Sequence, residues 1–420
     1  MTETPPPPPA SPESLRALMG QRSFVLFWIS RFADILGAQA QAVTIAWQVY
    51  ALARLHKSVE EAAFALGMIG LAQFLPLFAL TLFAGDAADR HDRKKIIIIC
   101  ICVEIVCVGV LAFMSLNHAA AYWPIFALAV VFGAARAFFN PASTALAPAL
   151  VPRELLPRAI AWNSLSWQGA SIAGPALGGL LCAISPAAAY VTVAGLYVVS
   201  ILCLLPVRAK IAQVHHTASR VALIKEGLVY VWRNKIVFGS ISLDLVAVLL
   251  GGATALLPVF ARDVLHVGAE GFGVLRAGPA IGAAVVAGYL SAHPIKKRAG
   301  LSMFAGVAVF GVSTLIFAFS RSMILSVAAL AMLGAGDMVS VFVRQSLVQI
   351  VTPDPMRGRV AAVSTLFIGA SNELGEFESG VAARILGPIG AAIFGGVGAL
   401  VATGLWAKLF PDLRKADRLA

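Results

Sequence analysis

The residues whose placement calls most for explanation are acids and arginines set inside long apolar stretches. Arg31 and Asp34 lie three apart in one such stretch, Arg136 lies in another, and Asp244, Asp337 and Arg344 occupy later ones. An ionised side chain at the centre of a membrane helix costs roughly 2.5–3.5 kcal/mol on insertion scales, so such groups mark a solute or proton route, or a buried pair. Arg31 and Asp34 share a helical face, and Arg136 falls at a similar depth. An Asp34–Arg136 pair is expected, serving either as a group whose protonation is linked to a solute or as a fixed tie between two helices. Asp244 and Arg344 suggest a second pair of the same kind. Glu373, Glu376 and Glu378 form the densest acidic set, and without counter-charges they cannot all stay ionised. Glu373 and Glu376 share a face, while Glu378 is turned away by more than 100°. This string suits a proton carrier, or equally a structural role at a helix seam. Glu104 stands alone and reads as structural.

Candidate cavity residues are polar side chains within the spans: Gln39, Gln41, Gln48, Asn140, Asn163 and Gln168, with Trp47 and Trp167. Arg31, Asp244, Asp337 and Arg344 join them as groups able to meet an amphipathic ligand. Trp123 and Trp406, near span ends, suit the membrane interface instead.

The elements that hold these residues are membrane helices. Apolar residues make up 59% of the 420, and charged residues 13%, about half the share of a soluble domain. Hydropathy gives spans at 24–53, 61–84, 95–116, 122–148, 158–183 and 186–206, then 236–261, 272–292, 301–320, 323–349, 358–384 and 387–409. The expected fold is therefore all-α and integral to a membrane, with twelve helices and both termini on one side. Placing the termini in the cytoplasm puts about 23 of the 32 Lys and Arg residues in cytoplasmic segments, as the positive-inside bias requires.

The stretch 207–235 is the only long polar break. Within it, Val221, Ile224, Leu228, Val231 and Trp232 recur at helical spacing opposite Lys225, Glu226, Arg233 and Lys235, which predicts an amphipathic interfacial helix. It divides the chain into bundles at 21–206 and 236–410, flanked by a proline-rich disordered tail over 1–20 and a short tail over 411–420, both cytoplasmic. The halves repeat one another. Gly169-Ala170-Ser171 returns as Gly369-Ala370-Ser371, and Gly174, Gly179 and Pro152 return about 201 residues later as Gly375, Gly380 and Pro353. Paired six-helix halves are a transporter architecture with the solute site between them near the midplane.

Several classes are excluded. The net charge of +11 lies in short loops without interleaved aromatic residues, so nucleic acid is not an expected partner. Cys100, Cys102, Cys107, Cys182 and Cys203 all lie in apolar segments and read as packing residues, not as a metal or redox set. No nucleophile–base set or phosphate loop is visible, so neither enzymatic chemistry nor direct ATP drive is expected, and no cofactor or metal.

Two motifs carry a resemblance. The loop after the second span runs Gly85-Asp86-Ala87-Ala88-Asp89-Arg90-His91-Asp92-Arg93-Lys94-Lys95. It resembles the G-x-x-x-D-R-x-G-R-K signature of the major facilitator superfamily, with Asp92 where glycine is usual. The resemblance implies a gating loop that latches the second span to the eleventh, whose start carries Arg357-Gly358-Arg359. Physically, an acid such as Asp89 in a loop can cap a helix N-terminus. The fifth span carries Gly174-Pro175-Ala176-Leu177-Gly178-Gly179, which is similar to the antiporter motif of the same superfamily. Small residues there permit close helix approach, and Pro175 bends the helix. Together with Arg136-Ala137-Phe138-Phe139-Asn140-Pro141-Ala142 and the Glu373 string, these look like the enterobactin-exporter-like, drug:proton-antiporter branch.

That resemblance implies proton-driven export of a small amphipathic molecule from a bacterium by a monomer in the inner membrane. Its partners would be a small-molecule substrate, protons and membrane lipid. Arg136 falls where the family carries an arginine tied to proton coupling. A lysophospholipid flippase, an uptake symporter and a non-transporting sensor or scaffold remain the competing readings.

Overall fold

The computed structural model describes residues 12–117, 121–208, 220–295 and 297–416. Its elements are helices, and no strand forms among these residues. The helix α1 (Pro12–Met19) replaces part of the disordered tail expected over 1–20, because Leu18 finds a buried apolar site; residues 1–11 lie outside the described ones. The first half consists of α2 (Arg22–Ala53), α3 (Val59–Arg90), α4 (Arg93–Leu116), α5 (Tyr122–Leu146), α6 (Leu156–Ile184) and α7 (Pro186–Leu204). After α8 (Arg220–Arg233) come α9 (Lys235–Leu250), the short α10 (Leu257–Val259), α11 (Gly268–Ala292), α12 (Ala299–Phe319), α13 (Met323–Val351), α14 (Asp354–Leu409) and α15 (Pro411–Arg414). A π-helical turn, Phe260–Val264, continues α10.

Ten helices among the described residues are long and apolar enough to cross a membrane. The longest, Met356–Leu409, is two spans joined. Gly387 has φ 75° and ψ 163°, a conformation open to glycine alone at little cost, and Pro388 follows it. Gly375 and Gly395 both pack against the Val248–Gly251 end of α9, although a straight helix would hold them about 30 Å apart. The chain therefore reverses at Gly387. The 32-residue α2, which carries Arg31 and Asp34, is long enough to cross as well, which is consistent with the expected twelve. Large side chains such as Phe113, Ile184, Leu202, Ile324 and Ile385 face outward, which suits a lipid surround.

The repeat is visible in packing. A Cβ at Gly133 in α5 would lie 2.1 Å from the Gln73 carbonyl oxygen, beside Pro76 of α3. About 201 residues on, a Cβ at Gly334 in α13 would lie 1.9 Å from the carbonyl oxygen of Pro279 in α11. Each glycine lets a proline-bent helix approach backbone to backbone.

One end of the bundle gathers the chain ends. Arg208 N–H meets Ser23 Oγ at 3.5 Å, Gly300 N–H donates to the Ala416 carbonyl at 2.9 Å, and Phe410 lies against Gly239. This is called the terminal end below, and its opposite the far end. The helix expected in the polar break forms as α8, but it turns Gly227 and Val231 to the start of α14, where Arg359 pairs with Glu226. Leu228 and Trp232 stay exposed, one turn apart, on the side left for an interface.

The loop Gly85–Lys95 also belongs to the terminal end. Asp92 caps the following helix: its carboxylate accepts from Lys94 N–H at 2.9 Å and Lys95 N–H at 3.4 Å. Replacing Asp92 with alanine is expected to lower stability by about 0.5–2 kcal/mol, and replacing it with glycine by only a few tenths, as N-cap preferences dictate. Thermal unfolding of the purified protein in detergent checks this order.

Candidate functional site

The first half builds an ion cluster at its centre. Arg136 of α5 donates from Nη1 to Asp34 of α2 at 3.0 Å, and its Nε lies 2.8 Å from Glu104 of α4. Asp34 and Glu104 are both fully buried. Tyr197 of α7 lies 3.4 Å from Arg136 and donates its hydroxyl proton to Gln41 at 2.7 Å. The expected Asp34–Arg136 pair is thus present, and Glu104 is its third member. Two carboxylates on one guanidinium leave the set one negative charge in excess, at a depth where charge is costly. Arg31 stands one turn before Asp34, partly buried, and adds positive field to it.

The second half contains the counterpart. Arg344 and Asp244 pair at 3.2 Å, each nearly fully buried, and Asp337 shares a small cavity with Asp244. The Arg136 position of the repeat is filled by Asp337, so the arginine has moved seven residues along the helix while the pairing with Asp244 is kept. Asp244 and Arg344 thus hold each other within this half.

The two halves meet at the far end, along two related seams. A Cβ at Gly179 of α6 would come within 2.7 Å of the Ala269 carbonyl oxygen and of Gly273 Cα in α11. A Cβ at Gly380 of α14 would come within 2.8 Å of Gly67 Cα in α3. Gly174 and Gly178 serve a different contact, seating α6 on Gln39 and Ala40 of α2, and Pro175 presents its carbonyl to Gly273. Trp47 stacks on Phe272 across the same end, with ring centroids 6.1 Å apart.

Glu376 sits at the second seam, against Gly70, and pairs with Arg276 at 3.3 Å; Arg276 also donates to the Thr254 carbonyl at 3.1 Å. Glu373 lies one turn away on the same face, and Glu378 turns aside to meet Ser379 at 3.4 Å. Tyr50 and Arg54, at the end of α2, both reach Asp263 in the π-helical turn, Arg54 at 3.4 Å. Sequence reasoning missed Arg276, Tyr50, Arg54 and Asp263. Arg276 carried the usual signal of a cation within an apolar span, whereas the others lie at span ends, where charge is unremarkable.

Asp263→Ala is expected to weaken the far-end closure by about 1.5–3 kcal/mol, the worth of a hydrogen bond to a charged group. Electron–electron distance measurement between spin labels at Leu55 and His266 should then show a longer component that the parent protein lacks.

Other expected residues divide by exposure. Gln39 meets Ser171 at 3.4 Å, Asn140 is exposed, and Asn163 and Gln168 are partly buried on α6. Gln48 is buried and accepts from the Tyr190 hydroxyl at 2.6 Å, which knits α2 to α7. In the loop, Arg90 pairs with Asp86 at 2.9 Å and Arg93 with Asp89 at 4.0 Å. Arg93 also donates to the Ala145 carbonyl, and Lys94 to that of Val207 at 2.9 Å, tying the loop to the ends of α5 and α7. Gly85 is buried at the close of α3. Arg357 donates to the Gln349 carbonyl at 3.0 Å, so this residue closes α13, and Arg359 holds α8.

Long apolar helices in two related halves, each with a buried ion cluster and meeting along glycine seams, make a membrane-transporter architecture. The Transmembrane secretion effector family matches residues 14–419. The multidrug efflux pump Tap of Mycobacterium tuberculosis is 26% identical over 408 residues, covering 92% of this chain and 93% of that protein. The enterobactin exporter EntS of Shigella dysenteriae is 26% identical over 391 residues, covering 92% and 88%. Among solved structures, a POT family transporter in complex with 5-aminolevulinic acid superposes with a TM-score of 0.74 at 12% identity, covering 93% of this chain and 96% of that one. A D-xylose-proton symporter gives 0.71 at 11%, covering 93% and 98%. The chain belongs to the Transmembrane secretion effector family of the major facilitator superfamily, and it is a transporter, not an enzyme.

Proposed function

We propose that this transporter exports a small amphipathic molecule from a bacterial cell in exchange for protons, by alternating access between halves at 21–206 and 236–410. The observation that carries this is the Asp34–Arg136–Glu104 cluster, in which one cation faces two buried acids. A proton arriving on either acid neutralises the excess charge; its loss restores it. Such a group can bias a two-state bundle, because protonation changes what the guanidinium must hold. Tap and EntS, named as an efflux pump and an exporter, support the outward direction and the substrate class.

The distribution of basic residues supports an inner-membrane protein with both termini in the cytoplasm. On that orientation the glycine seams and the Asp263 latch close the external end. Glu373 and Glu376, beside the second seam, are a second point at which a proton would act on closure. Asn140, Asn163, Gln168, Gln39 and Arg31 are the side chains proposed to meet the solute, and the transporter works as a monomer within its lipid.

Inside-out membrane vesicles given a proton gradient test the reading, with ethidium and a triscatecholate siderophore as probes. The expected result is accumulation of at least one probe that a protonophore abolishes. Accumulation indifferent to the protonophore would reject proton exchange, and uptake confined to right-side-out vesicles would reverse the direction.

A further inference from the structure

We infer that the second half holds a proton of its own, at a site between α9, α12 and α13 built from Asp244, Asp337 and Ser340. These three side chains line a cavity of about 10 Å³, walled otherwise by apolar groups including Val248, Val307 and Phe310. Ser340, one turn from Asp337, has a buried Oγ with no hydrogen-bond partner among the described residues, an unspent donor beside the two acids. Thr314 and Ser242 instead return their hydroxyls to the carbonyls of Phe310 and Phe238, as buried helical hydroxyls usually do.

The charge count points the same way. Arg344 pairs with Asp244, leaving Asp337 as a second acid beside one guanidinium. Among the described residues the neighbouring elements bring no further cation to it, and Arg414 of α15 belongs to the terminal end, beside Gly300. The helix α12 has no ionisable residue, and α13 has only Asp337 and Arg344. Beyond Asp244, α9 offers only Lys235, at its first residue. Of the charges on α11, Arg276 is bound to Glu376 and Thr254, and Glu270 is exposed in the first turn. On α14, Arg359 is held by Glu226, Arg357 by the Gln349 carbonyl, and Arg384 lies over Phe64; Glu373, Glu376 and Glu378 belong to the seam, and Lys408 is exposed in the last turn. Ser364 of α14 accepts from Arg344 at 3.4 Å.

The excess charge is balanced by one monovalent cation. A hard metal cation takes about six oxygen ligands, more than this apolar-walled cavity presents, whereas a proton needs only one carboxylate. The site is independent of the Asp34 cluster and of the solute. Each half thus carries two acids around one arginine, with the second acid contributed by α4 in one and by α13 in the other.

Infrared difference spectroscopy of the full chain in lipid nanodiscs at neutral pH tests the site. The parent protein is expected to show a protonated-carboxyl C=O band that Asp337→Asn removes and Ser340→Ala shifts in frequency without removing. Asp337→Asn keeps the Asp244–Arg344 pair, and matching thermal unfolding curves confirm that both variants are folded. A spectrum in which neither substitution touches any carboxyl band would overturn the proposal. So would loss of the band in the parent protein when sodium replaces potassium at fixed pH, which would make the occupant a sodium ion.

Discussion

Arg136→Ala is expected to abolish proton-driven transport and to destabilise the protein by about 3–5 kcal/mol, the cost of stranding buried charges without their partner. Asp34 and Glu104 are fully buried and share this one guanidinium, so its removal leaves two acids facing each other in a low-dielectric interior. Thermal unfolding alone would not separate coupling from structure. The triple variant Arg136→Ala, Asp34→Asn, Glu104→Gln does, because it removes the three ions that touch one another at once. Most of the lost stability should return in it, while proton-driven transport stays absent. Arg136→Lys gives an intermediate case: the charge is kept, but the fork that reaches Asp34, Glu104 and Tyr197 together is lost.

Gly179→Ala is expected to open the far end. The added Cβ would meet the Ala269 carbonyl oxygen and Gly273 Cα, both at 2.7 Å and both backbone, so no side chain can swing aside. Overpacking of this kind costs about 1–3 kcal/mol, and it falls only on the state in which α6 and α11 touch. With tenfold for each 1.4 kcal/mol, the closed state should lose population by roughly 5- to 150-fold. A cysteine introduced at Trp47, which stacks on Phe272 across the seam, reports the change as faster labelling from the far end. Gly380→Ala should act in the same direction, since Gly380 meets Gly67 at the related seam. Unchanged labelling in both variants would mean that the seams do not gate.

The helices and their repeat were legible in the sequence because a bilayer tolerates little else over long apolar stretches, and glycines recurring about 201 residues apart are readable without structure. Gly387 ends one span and begins the next, so the hydropathy break there was legible too, although the backbone stays helical on both sides. The Asp34–Arg136 pair could be read from depth and helical face. Glu104 could not be assigned, because a lone acid carries no sign of which neighbouring helix holds its partner. The same limit applies to Asp244 and Gln48: polarity in a span shows that a partner exists, but not which helix holds it, and Tyr190 lies 142 residues from Gln48.

The direct test of the account is proton flux in proteoliposomes containing only the purified transporter, an internal pH dye and whichever probe the vesicles accumulate. The account predicts probe-dependent proton movement in the parent protein, and in Asp34→Asn probe movement that no longer responds to a pH gradient. A variant that still moved protons with the probe at the parent rate would contradict the placement of coupling at the Asp34–Arg136–Glu104 cluster.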